Sequence, residues 1–151
     1  MIMSSWDDIE ILLVEDNTSD KELAVLAFER RSINNKIHVV QDGEEALDFL
    51  FCRKKYTTRS AKHKIKVIFL DLKIPKMDGL EVLREIKSDP TTKIIPVVIL
   101  TSSSEQKDIW ESYNLGANSF ITKPVDFEDF LKTLGRIGFY WLTINQTSQK
   151  S

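Results

Sequence analysis

The sequence predicts an α/β fold: a parallel β-sheet with helices packed on both of its faces. Three observations predict it. Short runs of apolar residues recur without polar alternation, as at Val67-Ile68-Phe69-Leu70, which is the pattern of strands buried on both faces. Each run is followed by a stretch whose apolar residues fall at helical spacing. Several runs end abruptly on a charged or hydroxylated residue, the position at which open α/β sheets present their ligand-binding groups.

The elements follow in order. Residues 1–8 form a short polar lead with one aromatic, Trp6. The first strand, Ile9 to Val14, ends on two acids, Glu15-Asp16. Asn17 to Asp20 then offers helix N-cap chemistry, and the helix carries Leu23, Ala24, Ala27 and Phe28 at core spacing. Arg30-Arg31 near its end suit the helix dipole. Ile37 to Val40 is the second strand, closed by Asp42-Gly43, and Glu44 to Phe51 is the second helix, with Ala46, Leu47, Leu50 and Phe51 inward.

Cys52 to Lys66 interrupts the rhythm. It is long, polar and basic, and a loop of that length in a compact domain is either functional or mobile. With Tyr56 as its lone aromatic it reads as a solvated face rather than a nucleic-acid patch, with partner docking the lesser alternative. The third strand, Val67 to Leu70, ends on Asp71. Gly79 to Lys87 is the third helix, with Leu80, Leu83 and Ile86 inward, stopped by Asp89-Pro90. Pro96 to Leu100 is the fourth strand, ending on Thr101-Ser102-Ser103. Glu105 to Asn114 is the fourth helix, with Gly116 as its stop. Asn118 to Thr122 is a short fifth strand ending on Lys123-Pro124. Asp126 caps a last helix whose apolar positions are Phe127, Phe130, Leu131, Leu134, Ile137 and Trp141. One domain is expected over residues 9–144, with the last helix extended, and a polar tail over 145–151. Right-handed crossovers between five strand–helix units place helices on both faces of the sheet.

Composition narrows the function. A length of 151 residues suits one domain with a sizeable core. The net charge of −2 argues against nucleic-acid binding by bulk electrostatics. The single cysteine, Cys52, excludes an intrachain disulfide and a cysteine-based zinc site. His38 and His63 have no ligand partners near them in sequence. There is no bilayer-length apolar stretch and no leader, so a cytoplasmic protein with no membrane partner is expected.

The strand ends carry the chemistry. Ends on one edge of a parallel sheet lie close together, so Glu15 and Asp16, Asp71, the Thr101 hydroxyl and the Lys123 ammonium can meet. At an effective dielectric of about 20 and a separation of about 5 Å, each carboxylate pair repels by roughly 3 kcal/mol. Lys123 offsets one charge. The remainder calls for a divalent cation, and an open all-oxygen site suits Mg²⁺. The set suits phosphoryl transfer, in which positioning and charge stabilisation dominate. Asp71, ionised at neutral pH, can act as a carboxylate nucleophile and form an aspartyl phosphate. Lys123 and Thr101 would hold phosphoryl oxygens. Taken alone, Glu15-Asp16 reads as an N-cap with a neighbouring acid, Thr101 as a strand-end hydroxyl and Phe120 as core. It is the agreement of four strand ends that favours the site.

The order LLVEDN, FLDLKIPKMDG, VVILTSS and FITKP resembles the receiver domain of bacterial two-component response regulators, over nearly the whole chain. The resemblance implies a flavodoxin-like (βα)₅ three-layer sandwich with strand order 2-1-3-4-5. It implies that Asp71 takes a phosphoryl group from a phosphohistidine on a sensor histidine kinase. It places Asp16 on the metal directly, Glu15 through water and the backbone carbonyl of Lys73 as a further ligand. It makes Thr101 and Phe120 the switch pair, the hydroxyl moving to the phosphate and the ring turning inward, and it implies a cis Lys123-Pro124 bond. The long loop after the second helix, the turn at Ser88 to Pro90 and the aromatic segment GFYWL resemble single-domain regulators partnered with bacteriophytochrome kinases. No DNA-binding or catalytic output domain is expected. Phe139-Tyr140-Trp141-Leu142 is too apolar for one helix to bury, and a homodimer through the last helix and this segment is expected.

Three other functions are weaker. An aspartate-nucleophile phosphohydrolase usually carries an acid two residues after the nucleophile, where Lys73 stands. A flavin binder would need a phosphate-cradling loop after the first strand, where Glu15-Asp16 would repel phosphate. A degenerate receiver that only binds partners would not need the complete acid set. Lys73 itself either screens an acyl phosphate from water or points to solvent.

Overall fold

A computed structural model describes residues 5–60 and 63–148. Strands β1 (Ile11–Val14), β2 (Ile37–Val40), β3 (Val67–Leu70), β4 (Val97–Thr101) and β5 (Ser119–Thr122) alternate with helices α1 (Thr18–Arg30), α2 (Gly43–Leu50), α3 (Gly79–Ser88), α4 (Gln106–Asn114) and α5 (Phe127–Phe139). Asn17, Asp42, Asp78 and Asp126 cap α1, α2, α3 and α5 with their side chains. Each accepts a backbone N–H that the first turn leaves without a partner. Gly116, at φ +107°, stands just after α4, a backbone conformation that glycine adopts without penalty.

All strand pairs are parallel and the order is β2-β1-β3-β4-β5. This is the doubly wound, flavodoxin-like arrangement. The winding reverses between β1 and β3, and the crevice at that point is where such folds bind ligands. Val14 pairs with Leu70, Leu70 with Ile99 and Thr101 with Thr122. Glu15, Asp71, Thr101 and Lys123 therefore all lie at one edge of the sheet.

The continuous apolar runs are explained by burial on both faces. On one face Leu12, Val14, Ile68, Leu70, Val97 and Ile99 pack with Ala46, Phe49, Val82, Leu83 and Ile86 of α2 and α3. On the other, Ile11, Leu13, Val67, Phe69, Val98 and Leu100 pack with Ala24, Ala27 and Phe28 of α1 and Phe130, Leu131 and Leu134 of α5. The α1–α5 contact is close at Gly138, where an added Cβ would come 2.6 Å from Cε1 of Phe28.

Three expectations are corrected. The segment after α2 is not simply a solvated basic face. Arg53, Lys54, Lys55 and Lys64 are exposed, but Tyr56 is fully buried and Arg59 is 5 % exposed. Tyr56 Oη donates to Glu45 Oε2 at 2.7 Å and lies 2.9 Å from His38 Nε2. The one hydroxyl proton goes to the carboxylate, so His38 Nε2 is the donor to the phenol oxygen. Arg59 donates to the carbonyl of Phe49 at 3.0 Å, and its guanidinium lies 4.3 Å from the Phe49 ring centroid. Trp6 closes the cluster edge-on against His38 and Tyr56. Burial in that apolar cluster holds the His38 pKa below its usual value, against the opposing pull of Glu45. An arginine and a tyrosine in a basic stretch look exposed in sequence, yet α2 ends with free carbonyls that a guanidinium satisfies.

Phe127, expected in the core, is 52 % exposed, because it is the first residue of α5, ahead of the turns that lie on the sheet. The chain leaves α5 through a π-helical turn, Tyr140–Ile144. This turn puts Leu142 into the core and packs Trp141 against it, and leaves Phe139 and Tyr140 outside. The Lys123-Pro124 bond is trans, since there is no cis peptide bond among the described residues.

Candidate functional site

β1 delivers Glu15 and Asp16, β3 delivers Asp71 and β5 delivers Lys123. Glu15 and Asp71 are buried and Asp16 is exposed. One carboxylate oxygen from each of Glu15, Asp16 and Asp71 lies within 4.8 Å of the others. The Lys123 ammonium donates to Glu15 Oε1 at 2.6 Å, Asp20 Oδ2 at 2.7 Å and Asp71 Oδ2 at 2.9 Å. Asp71 Oδ1 accepts the Lys73 backbone N–H at 3.1 Å. Both oxygens of Asp71 are thus engaged, and its carboxylate plane is set from two sides.

The acids of the site are crowded and partly buried. Burial pushes the Glu15 carboxyl up to about 7, against the lowering pull of the Lys123 hydrogen bond and charge. Burial alone would lower Lys123, but its hydrogen bonds to Asp20, Glu15 and Asp71 outweigh it and hold the ammonium above its usual value. Three carboxyl groups share one ammonium, and a fourth, Asp16, stands beside Glu15 and Asp71. This is a donor set of hard oxygens with a net negative field and one exposed member, and it fits a divalent cation of the Mg²⁺ type.

The loop after β3 forms the wall of the site. Asp16, Leu72, Lys73, Ile74, Pro75, Lys76 and Asp78 line an open cavity of about 400 Å³. The loop is clamped by α3: Gly79 N–H donates to the Leu72 carbonyl at 2.9 Å, and a Cβ on Gly79 would come 2.5 Å from the Asp71 carbonyl oxygen. Any larger residue there would displace the backbone that carries Asp71. Lys73 is exposed, and its backbone N–H is held by Asp71.

Thr101 is fully buried, and its Oγ1 accepts from the Ser103 N–H at 3.4 Å. Its carbonyl accepts the Lys123 N–H at 2.7 Å, so β4 holds the backbone of the lysine. Phe120 is half-buried against the core, paired in register with Ile99.

One member of the site escaped sequence reasoning. Asp20 stands in the first turn of α1, where an acid is already accounted for by the helix dipole. The sequence signal that could have marked it is its position three residues after the cap Asn17. An acid there normally turns back to the cap N–H. In this chain the Asn17 N–H donates to Glu15 Oε2 instead, at 3.2 Å, and Asp20 is free to reach Lys123.

The model of the response regulator receiver domain family matches residues 11–135. "Probable methanogenesis regulatory protein FilR2" of Methanothrix harundinacea is 37% identical over 146 residues, 97% of this chain and 92% of that protein. "Response regulator Rcp1" of Synechocystis is 38% identical over 132 residues, 87% of this chain and 88% of its own. The Mn(2+)-bound form of Rcp1 superposes with a TM-score of 0.86, at 36% identity and covering 93% of this chain and 99% of that one. The phosphorylated cyanobacterial phytochrome response regulator RcpA superposes with a TM-score of 0.87, at 38% identity and with the same coverage.

Proposed function

The chain belongs to the response regulator receiver domain family, and from that we propose that it is a single-domain regulator switched by phosphorylation of Asp71. A sensor histidine kinase supplies the phosphoryl group. A carboxylate oxygen of Asp71 attacks the phosphorus of the phosphohistidine, the new O–P bond forms as the N–P bond breaks, and the imidazole leaves with the electron pair. The observation that carries the reading is Asp71 itself: a carboxylate at a sheet edge, with Lys123 Nζ 2.9 Å from one oxygen and the Lys73 N–H on the other.

Glu15, Asp16, Asp71 and the Lys73 carbonyl would hold Mg²⁺, and the Mn(2+)-bound Rcp1 supports a divalent site. Bound there, the ion neutralises the acid cluster and the charge of the transferring phosphoryl group. Lys123 steadies a second phosphoryl oxygen. Thr101 turns its hydroxyl from the Ser103 N–H to a third, and Phe120 follows inward as the switch. The protein catalyses only its own phosphorylation and dephosphorylation, in the cytoplasm, without nucleic acid.

The kinase partner is of the phytochrome type, as the names of the phytochrome response regulator RcpA and of the bacteriophytochrome response regulators RtBRR and AtBRR, to which this chain is similar, support. The regulator forms a homodimer through α5 and Phe139–Leu142. Exposure of Phe139, Tyr140 and Ile144 at the end of the chain's last helix supports a second copy covering them. Sedimentation as a monomer at high concentration, with and without phosphorylation, would exclude it.

The test is incubation with phosphorylated histidine kinases, including a bacteriophytochrome, with Mg²⁺ present. A single phosphoryl mass gain that maps to Asp71 and is lost in Asp71→Asn is the expected result. Labelling that persists in Asp71→Asn would overturn the assignment.

A further inference from the structure

We propose that Asp20 is a positioning residue that holds the Lys123 ammonium off an incoming phosphoryl group and so slows phosphorylation of Asp71. The inference rests on the phosphoacceptor reading and adds a brake to it.

An ammonium has three N–H donors. Those of Lys123 are all committed, to Glu15, Asp20 and Asp71, and the side chain is 8 % exposed. A phosphoryl oxygen can gain Lys123 only by displacing one of the three carboxylates. Glu15 is the most buried of them and is tied a second time by the Asn17 N–H. Asp71 is the group being modified. Asp20, 24 % exposed, is the partner that water can replace. It also lies outside the set of carboxylates that converge on the candidate cation position, so its charge is available to repel a phosphoryl dianion rather than to bind metal.

Asp20 is not needed for the helix start. Its N–H is capped by Asn17 Oδ1 at 2.9 Å, a bond made by its backbone. Substitution to asparagine therefore removes a charge and a strong acceptor while leaving the cap in place.

The test uses the full chain, saturating Mg²⁺ and acetyl phosphate. An oxygen of Asp71 attacks phosphorus, the O–P bond forms as the P–O bond to the acetyl group breaks, and acetate leaves. Asp20→Asn is expected to take label about tenfold faster than the wild type, and Asp20→Glu, which keeps charge and acceptor, to return toward the wild-type rate. A second readout needs no metal: the Lys123 ammonium protons, followed by ¹⁵N-resolved NMR, should exchange with water faster in Asp20→Asn. A rate in Asp20→Asn equal to or below the wild type, or unchanged ammonium exchange, overturns the role of Asp20. A wild type that takes no label at Asp71 overturns the underlying reading as well, which the labelled wild type in the first case does not.

Discussion

Lys123 Nζ lies 2.9 Å from Asp71 Oδ2, although 52 residues of chain separate them. The pairing is made by the sheet: β5 and β3 flank β4, and the Lys123 backbone is held by the Thr101 carbonyl. The ammonium is the only positive group that contacts the buried carboxylates Glu15 and Asp71 among the described residues.

Lys123→Met therefore strands buried acids. Removing one partner of a buried pair costs about 3–5 kcal/mol, and the metal-free protein should lose that order of stability at pH 7. Mg²⁺ should restore part of it, because a cation takes over the neutralisation. Urea denaturation with and without Mg²⁺ reads both effects, and an unchanged midpoint in metal-free buffer would show the acids to be relaxed by other means.

Asp16→Ala acts in the opposite sense. Asp16 is exposed and makes no contact with Lys123, so its removal subtracts repulsion and no attraction. The metal-free melting temperature should rise modestly, corresponding to about 0.5–1 kcal/mol, and Mg²⁺-dependent labelling should be lost. A fall in metal-free stability would count against the crowded-acid description.

Tyr56→Phe removes the hydroxyl that joins Glu45 to His38. Both partners are left short of a hydrogen bond in a half-buried place, at a cost of about 1–3 kcal/mol. The loss should appear in equilibrium unfolding, with the amides of the segment around Tyr56 exchanging faster.

His38 predicts a pH dependence. Its folded pKa lies below the usual 6.5 because of burial, so between the two values the folded state binds fewer protons than the unfolded one. The stabilisation is present above the unfolded pKa and is lost as pH falls through the folded one. Comparing wild type with His38→Asn between pH 7.5 and 5 isolates this group from Glu15, whose raised pKa acts with the opposite sign. The wild type should lose stability relative to the variant on acidification. A difference that stays constant over that range would mean that His38 has no altered titration.

Much of the fold is legible along the chain because its signals are local. A run such as Val67 to Leu70 reads as a buried strand, and the Asn17 to Asp20 stretch and Asp126 read as helix starts, since both depend on neighbours a few residues away. The site was legible for a related reason. Strand ends in a parallel sheet share an edge, so Glu15, Asp16, Asp71, Thr101 and Lys123 could be placed together before any coordinate was known.

Side chains whose role depends on a distant neighbour were not legible. Asp20 looks like any first-turn acid until β5 brings Lys123 to it. Arg59 and Tyr56 look like parts of a basic loop until the end of α2 offers free carbonyls and Glu45 a carboxylate. Phe127 looks like core until the first turn of α5 is seen to project beyond the sheet. Periodicity and capping bonds are short in sequence and leave their mark there. A hydrogen bond across a hundred residues, like that from Lys123 to Asp20, exists only once the sheet has assembled.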